Sequence, residues 1–196
     1  MSGIKINIRN NFPEVARALN RVGEDVGNKA MARALNTTVT QGKTAMASQI
    51  SKEFRIKVST AKARLAVRKA TAKGTLRLEA YLEATRRGQG RSMNLIQFVT
   101  KLPIRNKKGV VSQLKFQIKR AGGRKMIKGA FVANKGRTVF VREGKDRLPI
   151  KALNTIDVPQ MFNTKRINIV VRQVMLQRFD TNFRRELRSV MKGFVK

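Results

Sequence analysis

The chain has no cysteine, no histidine and no tryptophan, only one tyrosine, and only eleven Asp and Glu among its 196 residues. Each shortage removes a class of function. Without cysteine there is no disulfide framework and no thiol nucleophile, which fits a reducing compartment. Without histidine or cysteine the commonest general base and the soft metal ligands are absent. No acid cluster stands at metal-ligand spacing either, so the expectation is a non-enzymatic protein with no cofactor and no metal. One tyrosine leaves few platforms for stacking single-stranded bases. No apolar run reaches the roughly 18 residues of a membrane span, so no membrane association is expected. The segment from Met1 to Arg9 lacks the apolar centre of a signal peptide.

What is present is positive charge. Forty-four Lys and Arg give a formal net charge of +33. Such an excess repels itself and is relieved by a polyanion or by an acidic neighbour. It does not sit in a low-complexity tail. Residues 52–77 hold nine basic side chains against one acidic, and residues 105–128 hold nine against none, both interleaved with Leu, Val, Phe and Ile. The cations therefore belong to folded structure, and an apolar share of 41% suits one domain with a real core.

Along the chain, Ile4, Ile6 and Ile8 alternate with polar residues as in a strand, and a helix follows in which Pro13 takes the first turn. Gly23 and Gly27 are expected to interrupt the helical pattern. A longer helix is expected from about Asn28 to Ile50, with Met31, Leu35, Val39, Met46 and Ile50 at helical spacing. Ser59 opens a short basic helix reaching about Ala66. Alternation from Leu76 through Ala84 predicts a strand, with Glu79 and Glu83 as salt-bridge partners on its polar face. Residues 86–94 read as a loop, 106–109 as a turn, and Leu114, Phe116 and Ile118 as one face of a strand. Ala121 to Lys125 reads as a glycine-rich basic link. Beyond Ile150 the chain is expected to be irregular through Phe162. A final helix then carries Val170, Val171, Val174, Met175, Phe179, Phe183, Leu187 and Met191, a stripe that should dock on the sheet or on another subunit.

The segment Gly129 to Ile150 organises the rest. Ala130–Ala133 and Thr138–Val141 flank Asn134-Lys135-Gly136-Arg137, where Asn and Gly tolerate the positive φ of a tight hairpin. A second turn at Glu143–Asp146 leads to Leu148-Pro149-Ile150, and Pro149 predicts that the chain leaves the sheet there. The expected architecture is α+β. An antiparallel sheet with hairpins packs with long N- and C-terminal helices in one domain, 1–196. Residues 1–66 are mainly helical, 67–150 strand-rich and basic, and 151–196 an irregular exit followed by a helix.

Phe131, Phe140, Leu148 and Ile150 are the candidates for core or subunit interface. Lys107, Lys108, Arg120, Arg124, Lys125 and Lys128 are the candidates for contact with DNA or an acidic partner. Gly42-Lys43-Thr44 mimics the end of a phosphate-binding loop, but Thr37 stands where its first glycine should be. No zinc-finger spacing, basic zipper or RNA-recognition signature is found, so contact with DNA would address phosphates and not sequence.

In this order of segments the chain resembles the phage minor tail protein Z family, tail-completion proteins of long-tailed, lambda-like phages. The likeness runs through Arg33-Ala34-Leu35-Asn36-Thr37, Ser59 to Arg68, the strand from Leu76, Leu95-Ile96-Gln97-Phe98 and Gly129-Ala130-Phe131. It is most specific at Val139-Phe140-Val141-Arg142 leading to Arg147-Leu148-Pro149-Ile150, while residues 101–128 are longer and richer in lysine than the family pattern. The resemblance implies a non-enzymatic virion protein, assembled in the host cytoplasm, at the head-proximal end of the tail. It implies a homo-oligomeric ring, read as a hexamer. Its expected neighbours are tail-terminator, tail-tube, tape-measure or head–tail connector proteins, with the phage DNA end nearby and bound without sequence preference. The alternative reading is a monomeric, sequence-independent nucleic-acid-binding protein.

Overall fold

The computed structural model describes residues 6–7, 23–72, 76–84, 92–101 and 114–192. The expected helix after Pro13, positions Ile4 and Ile8, loop residues 86–91 and the turn at 106–109 lie outside them.

Two long helices form the spine. Helix α1 spans Glu24–Glu53 and begins earlier than its apolar pattern suggested. Glu24 and Asp25 lie in its first turn, where negative charge suits the positive helix end. Gly27 does not interrupt it; the residue is buried inside the helix, on the packed face. Further short helices are α2, Val58–Ala63, and α3, Val158–Phe162; the last is α4, Lys165–Lys192.

Helix α4 docks on α1, not on a sheet. Asn182 Nδ2 donates to Thr38 Oγ1 at 2.9 Å and to Gln41 Oε1 at 3.1 Å. Arg166 lies 3.3 Å from Glu53, at the other end of the pair. Position numbers rise on one helix as they fall on the other, so the two run antiparallel. The buried line of α4 is Ile167, Val171, Met175, Phe179 and Phe183, completed by Val190; Met191, expected on the stripe, is 41% exposed. Facing it, α1 offers small residues. A Cβ placed on Gly42 would stand 2.5 Å from Met175 Sδ, so Gly42 is the hole into which Met175 fits. The supposed phosphate-loop glycine is thus a packing device.

The strands are short and fall into small antiparallel sheets. Strand β1 (Ile6–Asn7) and β2 (Leu65–Arg68) flank β3 (Tyr81–Ala84). The expected helix to Ala66 therefore stops at Ala63, because Leu65–Arg68 is taken up by ladder pairing with β3. Leu76 to Ala80 precede that ladder and carry one isolated bridge, Arg77 to Thr71, while Ala80 is buried in the core and Leu78 packs against it. Glu83 pairs with Arg68 at 3.1 Å, and Glu79 accepts from the Tyr81 hydroxyl.

Strand β4 (Met93–Asn94) leads through a 3₁₀ turn, Leu95–Phe98, into β5 (Val99–Lys101). Strand β6 (Lys115–Phe116) lies between β5 and β7 (Lys125–Met126). Its alternation is as expected: Leu114 and Phe116 are buried while Lys115 and Lys119 are exposed.

Strands β8 (Phe131–Ala133) and β9 (Thr138–Arg142) form the expected hairpin, with positive φ at Asn134, Lys135 and Gly136. The expected exit at Pro149 is corrected. Pro149 lies just outside strand β10 (Ile150–Ala152), and β10 returns antiparallel to β9, pairing Ile150 with Arg142 and Ala152 with Phe140. Proline is excluded from a strand interior and not from the residue before one. Strand β11 (Asn154–Thr155) then pairs with β4.

The segment after it is helical rather than irregular. Asp157 caps α3, its carboxylate accepting from the Val158 N–H at 2.7 Å, while Gln160 reaches back to the Asp157 N–H at 3.0 Å. Pro159 sits in the first turn, where its missing N–H is not needed. Buried Asp157 also lies 3.6 Å from Arg64, tying α3 to the end of α2.

Two asparagines tie separate segments together by imitating a strand. Asn36, in the Arg33–Thr37 motif, donates to the Ala70 carbonyl at 3.0 Å and accepts from the Ala70 N–H at 2.7 Å. Asn94 does the same for Val139, accepting its N–H at 2.9 Å and donating to its carbonyl at 3.3 Å.

Candidate functional site

Side chains directly opposite in an antiparallel ladder share a face. In the β8–β9–β10 sheet this places Phe131, Phe140, Arg142, Ile150 and Ala152 together, and Val132, Val139 and Val141 on the other side. Val139 is fully buried, so the valine face meets the core. The phenylalanine face looks outward. Phe131 and Phe140 are half-buried, their rings stacked with centroids 6.1 Å apart. The Arg142 guanidinium sits over Phe131, 5.0 Å from the ring centroid, a cation–π placement. Ile150 is 38% exposed and Leu148, just before the strand, 66% exposed.

Of the two roles left open by the sequence, the core role does not fit Leu148 and Ile150. The core residue of the Val139–Arg142 block is Val139. The sequence hid this because Phe140, the bulkier neighbour, occupies the opposite parity.

Exposed cations gather at the turn that joins β6 to β7. The turn is held by Gln117, whose Nε2 donates to the carbonyls of Arg120 and Gly122 at 3.0 and 2.9 Å. It is moored to the end of α1: Arg120 Nε donates to the Ser51 carbonyl at 2.7 Å, and its N–H to the Glu53 carbonyl at 2.9 Å. Those carbonyls belong to the last helical turn, which has no intrahelical donors for them. Arg120 is therefore an anchor as well as an exposed charge. Arg124, Lys125 and Lys128 are exposed and make no ion pair among the described residues. Lys107 and Lys108 lie outside the described residues. The Ala121–Lys125 link is in fact a tight turn on a fixed base.

The scarce acids have local structural duties. Glu53, Glu83, Asp157, Asp180 and Glu186 each pair with an arginine. Among the described residues no three carboxylates come together in a way that could hold a metal ion. No helix there is long and apolar enough to cross a membrane.

The chain is thus an α+β protein whose helical spine carries small sheets with an apolar outer face and a cationic turn. It matches the family model of prophage minor tail protein Z (GPZ) over residues 12–195 and belongs to that family. No curated protein and no solved structure matches it. Membership makes it a structural protein of a phage tail, located in the virion and in contact with other tail or virion proteins.

Proposed function

We propose that this protein completes the head-proximal end of the tail as a ring of identical subunits, and that it acts by fit and attraction without bond-making chemistry. Membership of the tail family supports the setting. The observation that carries the reading is the outward face of Phe131 and Phe140, roofed by Arg142, beside Leu148 and Ile150. An apolar face of this kind is costly to leave in water and suits a protein neighbour. In a ring, the hairpin face makes the contact between subunits. Its cationic turns, with Arg124, Lys125 and Lys128, face phage DNA or an acidic tail protein.

A ring of subunits, each at +33, gathers cation around a lumen, and DNA supplies the counter-charge that lets such an assembly close. The neighbours in this reading are the tail terminator, the tail tube or tape measure, and the head–tail connector.

Electron microscopy of lysates made with and without the gene tests this. The expected result without the protein is full heads and finished tails that fail to join. Normally joined, infectious particles would contradict it. The alternative, a monomeric nucleic-acid binder, predicts joined particles and a protein that coats DNA as single subunits.

A further inference from the structure

We propose that the free edge of the β10–β11 segment, Ile150 to Asn154, is a docking strand that takes an extended segment of an acidic protein by β-augmentation. The hydrogen bonds show that this edge is continuous. The Glu143 N–H donates to the Pro149 carbonyl, and the Leu153 N–H donates to the Val139 carbonyl. Residues 149, 151 and 153 therefore direct their backbone groups at β9, because partners alternate along an antiparallel ladder. The Leu153 carbonyl accepts from the Leu95 N–H at 2.9 Å, so β4 takes over from β9 on the same side of the segment. Ile150, Ala152 and Asn154 consequently direct their N–H and C=O groups to the opposite side. None of these outward groups has a backbone partner among the described residues. An open edge of this kind is a template for an added strand.

The edge also states what the added strand should look like. Ile150 and Ala152 continue the outward face of Phe131 and Phe140, so alternate residues of the incoming strand would extend an apolar surface. Lys151 projects to the other face at the same edge and is exposed, with Arg147 and Lys145 just before it. The residues in between should therefore be Asp or Glu. An alternation of apolar and acidic residues is the matching pattern.

A second copy of this chain does not supply the matching strand: the chain's own apolar–acidic segment, Leu78 to Ala84, supplies β3, already flanked by β1 and β2. The proposal depends on the tail-assembly reading only for the source of the partner; its test below uses the isolated protein and is independent of head–tail joining.

The probe is a fluorescein-labelled peptide of alternating Val and Glu, titrated into the full chain with anisotropy and amide hydrogen exchange as readouts. Expected are saturable binding and slowed exchange at Ile150, Ala152 and Asn154. Ala152→Pro removes an outward N–H without removing a ladder bond and should weaken binding at least tenfold, while Lys151→Glu should weaken it severalfold. A Val–Glu peptide N-methylated on alternate backbone nitrogens should bind no better than the weakest variant. Equal binding of an alternating Val–Lys peptide would overturn the proposal, as would unchanged affinity in both variants. Slowed exchange at the same three amides on raising protein concentration alone would assign the edge to a second copy, and slowed exchange with duplex DNA would assign it to nucleic acid; either result overturns it.

Discussion

The α1–α4 pair and the β8–β10 sheet are built on opposite terms. In the helix pair, large side chains on α4 fill gaps left by small ones on α1, and Met175, Phe179 and Val39 are almost wholly buried. In the hairpin sheet only one face is buried, through Val139, while the other presents Phe131, Phe140 and Ile150 to the outside. The first region supplies the cohesion of the fold. The second spends little on cohesion and keeps its apolar surface and strand edge available for neighbours. Substitutions should therefore separate stability from assembly.

The sharpest contrast comes from Phe179→Ala. It should cost about 3–5 kcal/mol, lowering the melting temperature by roughly 2–4 °C per kcal/mol and removing function with the fold. Gly42→Ala should follow, at about 1–3 kcal/mol from overpacking against Met175. Combined with Met175→Ala, it should cost less than the sum of the two single changes, a non-additivity that thermal melts of the double mutant would measure. Asn94→Ala tests how the hairpin sheet is held to β4. Losing both of its bonds to the Val139 backbone should cost about 1–3 kcal/mol and speed exchange at the Val139 amide while amides in α4 stay protected.

At the far end, Leu148→Ser with Ile150→Ser should cost no more than about 1 kcal/mol, because Leu148 is 66% exposed and Ile150 38%. Arg124→Ala with Lys125→Ala should be equally mild for the fold. If the cationic turn meets DNA, that pair should reduce the slope of log affinity against log salt by about 1.8, and an unchanged slope would remove these residues from the contact.

These two regions were also unequally legible in the sequence. Helical periodicity located both long helices, because a buried stripe repeats many times and averages out single misfits. It misjudged Gly27, which cost the pattern a residue but packs on the buried face. It also could not say that α4 docks on α1, since an apolar stripe does not name its partner. The hairpin at Asn134–Arg137 was readable from turn chemistry. Its continuation was not: Pro149 looked like an exit, whereas the register that returns Ile150 to Arg142 is fixed by tertiary contacts.

In the same way the stretch expected to be irregular through Phe162 holds α3, with Pro159 in its first turn. For the candidate cations the structure shows exposure and anchoring, not contact with a partner. Arg120, Arg124, Lys125 and Lys128 are all exposed, and Arg120 is in addition moored to the end of α1. The clamps formed by Asn36 and Asn94 left no trace in composition or period, because their role depends on residues 34 and 45 positions away.

The most direct test of this division of labour is head–tail joining by a variant that is folded but altered on its outer edge. Leu148→Ser with Ile150→Ser, supplied in place of the native protein, should melt within about 4 °C of the native protein and yet leave tails without heads in electron micrographs. Joined particles at native frequency from that variant would contradict the account.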